Sequence, residues 1–123
     1  FVRTWAAGTV NSIWYPMVTG WYYTGLLDEN LNPKLAYKAY KYISQELYAA
    51  TYIRQVGLDP MLRAYEFRAP GKNIWVTWSR YYVPITINLP PGLLRVLDKY
   101  GNSLTPVNGQ ITVLRPIYIE FLP

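Results

Sequence analysis

Seven side chains in this sequence could exchange a proton as a carboxylic acid: Asp28, Glu29, Glu46, Asp59, Glu66, Asp98 and Glu120. They act without histidine or cysteine, because the chain contains neither. Ser-His-Asp and Cys-His catalysis are therefore excluded, as are a disulfide and any metal site built on imidazole or thiolate. Asp28 and Glu29 are neighbours in a turn-rich stretch, where solvation and loop capping account for them. Glu66 and Glu120 fall inside strand patterns, and Asp98 stands at the turn in "DKYG". None of these is read as an acid–base pair, so no catalytic residue, metal or cofactor is expected. The second chemistry on offer is aromatic: thirteen Tyr and five Trp bring the aromatic share to 17%.

The bulk properties set the frame for those groups. With 123 residues, 51% of them hydrophobic, the chain is one domain, or a small domain with an appendage. The net charge is +5, but the basic residues are dispersed. Lys34, Lys38 and Lys41 form the one local cluster, at the spacing of a solvated helix face. A phosphate-binding surface needs more cations on one side, so neither nucleic acid nor an electrostatic membrane contact is expected. No stretch approaches the ~20 apolar residues of a membrane span, and no signal-peptide pattern opens the chain. Position 1 is Phe, which leaves a native, processed or excised terminus open.

The elements that must position the candidates change character half-way along the chain. Residues 1–10 place Val2, Trp5, Ala6 and Thr9 at a three-to-four spacing, which predicts the end of a helix. "SIWYPM" is apolar without alternation, as suits a strand buried on both faces, and Pro16 should end it. Residues 19–32 read as a loop, and Asn32-Pro33 as N-cap and first position of a helix running to about residue 50. Its apolar stripe is Leu35, Ala36, Ala39, Tyr40, Ile43 and Leu47. A surface linker is expected over residues 51–60. Residues 61–123 then alternate with period two in short runs bounded by Pro, Gly and Asn: "LRAYEFRA", "KNIWVTWS", "VPITINLP", "LLRVLDKYG" and "GQITVLRPIYIEFLP". Five or six such strands predict a small antiparallel sandwich or open barrel. The fold class expected is α+β. Trp75 and Trp78 are three apart, so they should stand on opposite faces of one strand.

The order of these pieces, and above all "GLLDENLNPKLAYKAYK" from Gly25 to Lys41, resembles the C-terminal end of a clan A glycoside hydrolase. In that family a loop reading GLLD, then PKPAYYAYK, leads from the last strand of a (β/α)8 barrel into its last helix. Leu35 stands here where a second proline is frequent. "AYEFRAPGKNIWVTWS", "LLRVLDKYGN" and "RPIYIEF" resemble the β-sandwich that commonly follows.

The resemblance implies a division into a barrel-end segment at residues 1–50, the linker and the sandwich. It implies retaining glycosidase chemistry, which uses two carboxylates about 5–5.5 Å apart. In the family these come from earlier barrel strands, so the resemblance places both upstream of Phe1. What carries over is a sugar platform: Trp14 matches the aromatic at the end of the last barrel strand, with Tyr15 and Trp21 extending the surface. The alternative for Trp14 is core packing, and for Trp21, Tyr22 and Tyr23 cover of the junction between the two parts. The partners implied are a carbohydrate and an upstream barrel segment or partner chain. A homo-oligomer formed through residues 1–50 is the other arrangement that would complete a strand buried on both faces. A non-catalytic structural or carbohydrate-binding protein is the alternative function, and the compartment is left open with a lean to the extracellular.

Overall fold

The computed structural model describes residues 1–9, 17–19 and 24–123. Among them the order is α1 (Val2–Ala6), α2 (Leu35–Glu46), β1 (Thr51–Gln55), β2 (Leu62–Ala69), β3 (Lys72–Ser79), β4 (Ile85–Asn88), β5 (Leu93–Asp98), β6 (Ser103–Leu104), β7 (Gln110–Val113) and β8 (Ile117–Phe121). The fold is α+β. Six strands form an antiparallel sheet in the order β1-β2-β3-β8-β5-β6, and β4 pairs with β7 in a second, two-stranded sheet.

Local turn chemistry sets the register. Pro70-Gly71 joins β2 to β3 with Gly71 at φ +75, so that Ala69 faces Lys72. Proline followed by a residue of positive φ is the type II pattern. Asn108 and Gly109 both have positive φ, the requirement of a type I′ turn, and they fold Val107 back onto Gln110. Alternation then sorts the side chains. Tyr65, Phe67, Ile74, Val76 and Tyr118 lie on one face of the large sheet with Ile43 and Leu47 from the α2 side. Leu62, Val96, Ile117 and Ile119 lie on the other, against Ile87 of β4 and Val113 of β7. Each such side chain contributes about 1.5–3 kcal/mol when fully buried. Trp78 packs with the first cluster and Trp75 with the second, so the two tryptophans do occupy opposite faces.

Four expectations need correction or restriction. The stretch read as a linker carries strand β1 in its first half, hydrogen-bonded to β2 at the sheet edge. It was hidden because its side chains are mostly exposed and do not alternate. Helix α2 starts later than the Asn32-Pro33 pair implies, with Lys34 as the N-cap. Asn32 is engaged by Asp28, and Pro33 forms an extended bridge with Leu27, which holds both outside the helix. Leu35, assigned to the apolar stripe, is exposed, whereas Ile43 and Leu47 are buried. The strand expected in "SIWYPM" lies outside the described residues, apart from Met17.

Candidate functional site

The three residues that sequence reasoning selects for a sugar surface, Trp14, Tyr15 and Trp21, lie outside the described residues. The residues on either side of Trp21 in sequence are described. The chain passes through Met17, Val18 and Thr19 and is taken up again at Thr24. Thr19 N–H donates to Leu27 O (2.8 Å) and Leu27 N–H donates to Met17 O (2.9 Å), so Val18 and Leu27 form a parallel bridge. Leu27 also bridges Pro33 in the antiparallel sense, and Lys34 N–H donates to Leu26 O (2.9 Å). Three stretches distant by a loop each are thus tied side by side.

Gly25 makes that tie possible. A Cβ at this position would lie 2.3 Å from Thr19 N and 2.4 Å from the Val18 carbonyl carbon. No side chain fits at such distances, so glycine is required by backbone approach. Leu26 is fully buried beneath it. The Thr19 hydroxyl donates to Leu27 O (2.8 Å) and accepts from Lys34 Nζ (3.0 Å). Asp28 follows and organises the next turn: its Oδ1 accepts the N–H groups of Asn30 and Asn32. The Asn32 backbone bond, more than its side chain, Asn30 or Lys34, holds the Asp28 carboxyl below the usual carboxylate range. Gly25, Leu26, Leu27 and Asp28 therefore all act as scaffold, tying residues 17–19 to residues 24–34.

The remaining carboxylates are placed by the sheet. Glu66 and Glu120 are buried on its opposite faces. Glu66 accepts from Arg54 Nε (2.8 Å) and Asn73 Nδ2 (3.2 Å). On the helix-facing side, Lys72 Nζ pairs with both Glu46 of α2 and Glu120 of β8, the latter at 3.0 Å. Arg95 Nε adds a second cation to Glu120 at 2.9 Å. Burial works against the Glu120 charge, but the hydrogen bonds from Arg95 and Lys72 outweigh it, and the carboxyl ionises below its ordinary range. Burial and the nearby carboxylate of Glu46 push the phenols of Tyr42 and Tyr118 above theirs. A carboxylate held ionised by two cations cannot act as a general acid near neutral pH. This cluster ties α2 to the sheet. It was not read from the sequence, because its members come from α2, β3, β5 and β8, and spacing carries no signal for such a meeting.

Asp59 accepts Met61 N–H at 2.7 Å, and Asp98 closes the β5–β6 turn in the manner of Asp28. All seven carboxyl groups are among the described residues, and the geometry brings none of them together as an acid and a nucleophile facing an open cleft. Among the described residues no group of three or more carboxylates could hold a metal ion.

No family model matches the chain, and no curated protein matches it. In fold, it resembles part of a glycoside hydrolase. A solved structure of a family 39 glycoside hydrolase from the gut symbiont Bacteroides cellulosilyticus WH2 superposes with a TM-score of 0.64 over 83% of this chain, at 22% identity. The chain spans 22% of the length of that protein. At this identity the likeness speaks for the fold alone. It leaves chemistry to the residues themselves.

Proposed function

We propose that this chain is the C-terminal portion of a retaining glycoside hydrolase of clan A. Residues 1–50 supply the last barrel strand, within 12–17, and the last barrel helix. Residues 51–123, with β1 at the sheet edge, form an accessory β-sandwich. Trp14, Tyr15 and Trp21 form a platform on which the apolar CH face of a sugar ring lies. The acid/base and nucleophilic carboxylates, about 5–5.5 Å apart in such enzymes, come from an upstream barrel segment or a partner chain. The observation that carries this reading is the fold likeness to a family 39 glycoside hydrolase. The clamped loop base at Gly25 supports it, because a binding loop needs a rigid base. Six of the seven carboxylates are engaged in turns or ion pairs and Glu29 is exposed beside Asp28, which favours reacting groups supplied from elsewhere.

The test is complementation. Expressed alone, the 123 residues should leave an aryl glycoside intact. Co-expressed with an upstream barrel segment bearing two strand-end glutamates, they should restore cleavage. Trp14→Ala in the reassembled enzyme should then lower kcat/KM by about tenfold or more, the loss of one ring contact at the sugar. Hydrolysis by the chain alone, or a reassembled enzyme indifferent to Trp14, would overturn the proposal.

A second reading is favoured by the apolar surface of the first segment, where Met17, Val18, Leu31 and Leu35 are exposed. An apolar groove of about 370 Å³ runs between α1, α2 and the sheet, lined by Phe1, Ala36, Tyr40, Val76 and Trp78 among others. A second copy covering these residues would give a non-catalytic, self-assembling protein. Light scattering separates the readings: a monodisperse monomer rules out assembly through residues 1–50.

A further inference from the structure

The far end of the β1-β2-β3 sheet carries a second cleft, away from the loop discussed above. It has a volume of about 490 Å³ and is lined by Gln55, Leu58, Asp59, Arg63 and Arg80, among others. That is the size of a small-ligand pocket. Its walls are fixed by hydrogen bonds. Asp59 holds the β1–β2 turn by accepting Met61 N–H on Oδ1, while Leu62 N–H donates to Asp59 O (3.0 Å). Arg80 is pinned across the cleft: its N–H donates to Met61 O (2.8 Å) and its Nη1 to Pro60 O (3.3 Å). Arg63 is paired with Trp78 through the strand, while its guanidinium forms no ion pair or hydrogen bond among the described residues and Asp59 Oδ2 accepts none there.

An aromatic turn adjoins the cleft. The Arg80 guanidinium lies over the ring of Tyr81 at 5.3 Å, so cleft and turn share one side chain. Tyr81 and Tyr82 are both exposed. Tyr82 has φ +59, a strained conformation for an aromatic residue, and the turn is locked by Val83 N–H donating to Ser79 Oγ (3.0 Å). The backbone is thus held in an unfavourable state while presenting two rings to solvent.

We propose that this cleft is a binding subsite for an anionic sugar, a uronate within a glycan chain. The planar fork of Arg63 takes the carboxylate, as guanidinium groups do in bidentate pairs. Asp59 Oδ2 and Gln55 take sugar hydroxyls, and the Tyr81 ring takes the apolar sugar face. Asp59 Oδ2, an open acceptor, suits the hydroxyl donors of a sugar ring. Two arginines are too few for a phosphate track. The subsite stands apart from the hydrolase reading, since the chain binds here whether or not a catalytic partner exists.

Calorimetric titration of the full chain tests this with an oligogalacturonide, its methyl ester, a neutral xylo-oligosaccharide and a single-stranded oligonucleotide. The acid form should bind, and the methyl ester and neutral oligomer should bind about tenfold more weakly or worse, as expected for loss of a charge-assisted pair. Arg63→Gln and Tyr81→Ala should each weaken the acid form by about tenfold. Lys38→Gln, which removes the same charge from the exposed face of α2, should leave it within about twofold. Equal binding of acid and ester by the unaltered chain would overturn the proposal. So would absence of binding, equal weakening by Lys38→Gln, or tighter binding of the oligonucleotide.

Discussion

The turns at residues 28–32 and 98–102 share one hydrogen-bond pattern, atom for atom, and differ in the residue that completes it. In each, the aspartate N–H donates to the asparagine O four positions on, at 2.9 Å for Asp28 and 2.8 Å for Asp98. In each, Oδ1 accepts two backbone N–H groups and Oδ2 accepts the asparagine Nδ2. In each, the fourth residue donates to the aspartate O at 3.1 Å and adopts positive φ. That residue is Gly101 in one turn and Leu31 in the other. A three-residue loop ending in a left-handed residue is a common hairpin solution, and glycine is its usual choice. Asp-x-x-x-Asn therefore specifies the turn, and the surroundings decide who stands at the left-handed position. Gly101 is packed against α2, where a Cβ would approach the Tyr42 ring to 2.7 Å. Leu31 is exposed, so space places no demand there.

The sharpest break in the comparison should come from Gly101→Ala. The left-handed conformation costs a residue with a Cβ about 1–2 kcal/mol. Tyr42 must also move, and its ring packs edge-on against Tyr118 at 5.0 Å. A total destabilisation of about 2–3 kcal/mol is expected from urea unfolding. A value near 1 kcal/mol would mean that Tyr42 yields freely and that packing does not distinguish the two turns.

The aspartates should respond to pH in the same direction. The Asp28 carboxyl is lowered by its hydrogen bonds from Asn32 and Asn30. For Asp98, burial opposes the charge, but hydrogen bonds from the Asn102 side chain and the backbone of Asn102, Tyr100 and Gly101 prevail, and its carboxyl is also lowered. A folded-state value below the unfolded one gives stabilisation that is complete above the unfolded value and disappears as pH falls through the folded one. Stability should therefore begin to fall near pH ~4, the ordinary carboxylate range, and continue to fall below it. Asp98→Asn should remove part of that slope and lower stability at neutral pH by about 1 kcal/mol, given its partial exposure. Asp28→Asn, at a half-buried site, should do the same to a smaller extent. Thermal unfolding between pH 3 and 7 reads both. Equal slopes in the two variants would show that burial against α2 adds nothing to the second turn.

Much of the sheet was legible in the sequence, and the reason is local. "LRAYEFRA" and "KNIWVTWS" coincide with β2 and β3 because alternation and the Pro70-Gly71 turn act within a few residues. Strand β1 was not legible: an exposed edge strand has no buried face to impose alternation. The start of α2 was misplaced because Asn32-Pro33 is a sound helix start in isolation, and nothing nearby in sequence says that Asp28 has already taken Asn32. The ion cluster of Glu46, Lys72, Glu120 and Arg95 could not be read from spacing, since only the folded sheet brings β3, β5 and β8 under the helix. The candidate sugar surface divides likewise. Gly25 was legible as turn chemistry, but its contact with Thr19 belongs to the fold.

The smallest expected effect is the most direct test of what the two turns share. If Asp-x-x-x-Asn alone fixes the conformation, Leu31 is strained and glycine should relieve it. The relief of about 1–2 kcal/mol is reduced by the extra freedom that glycine gives the unfolded chain, about 0.5–1 kcal/mol. Leu31→Gly should therefore stabilise by about 0.5 kcal/mol, a rise of roughly 2 °C in Tm for a domain of this size. Amide exchange at Asn30 and Asn32 should stay as slow as before, because their acceptor on Asp28 is untouched. If the variant instead loses stability and those amides exchange faster, Leu31 stiffens the turn beside the clamped loop, and the left-handed leucine belongs to the function of that loop.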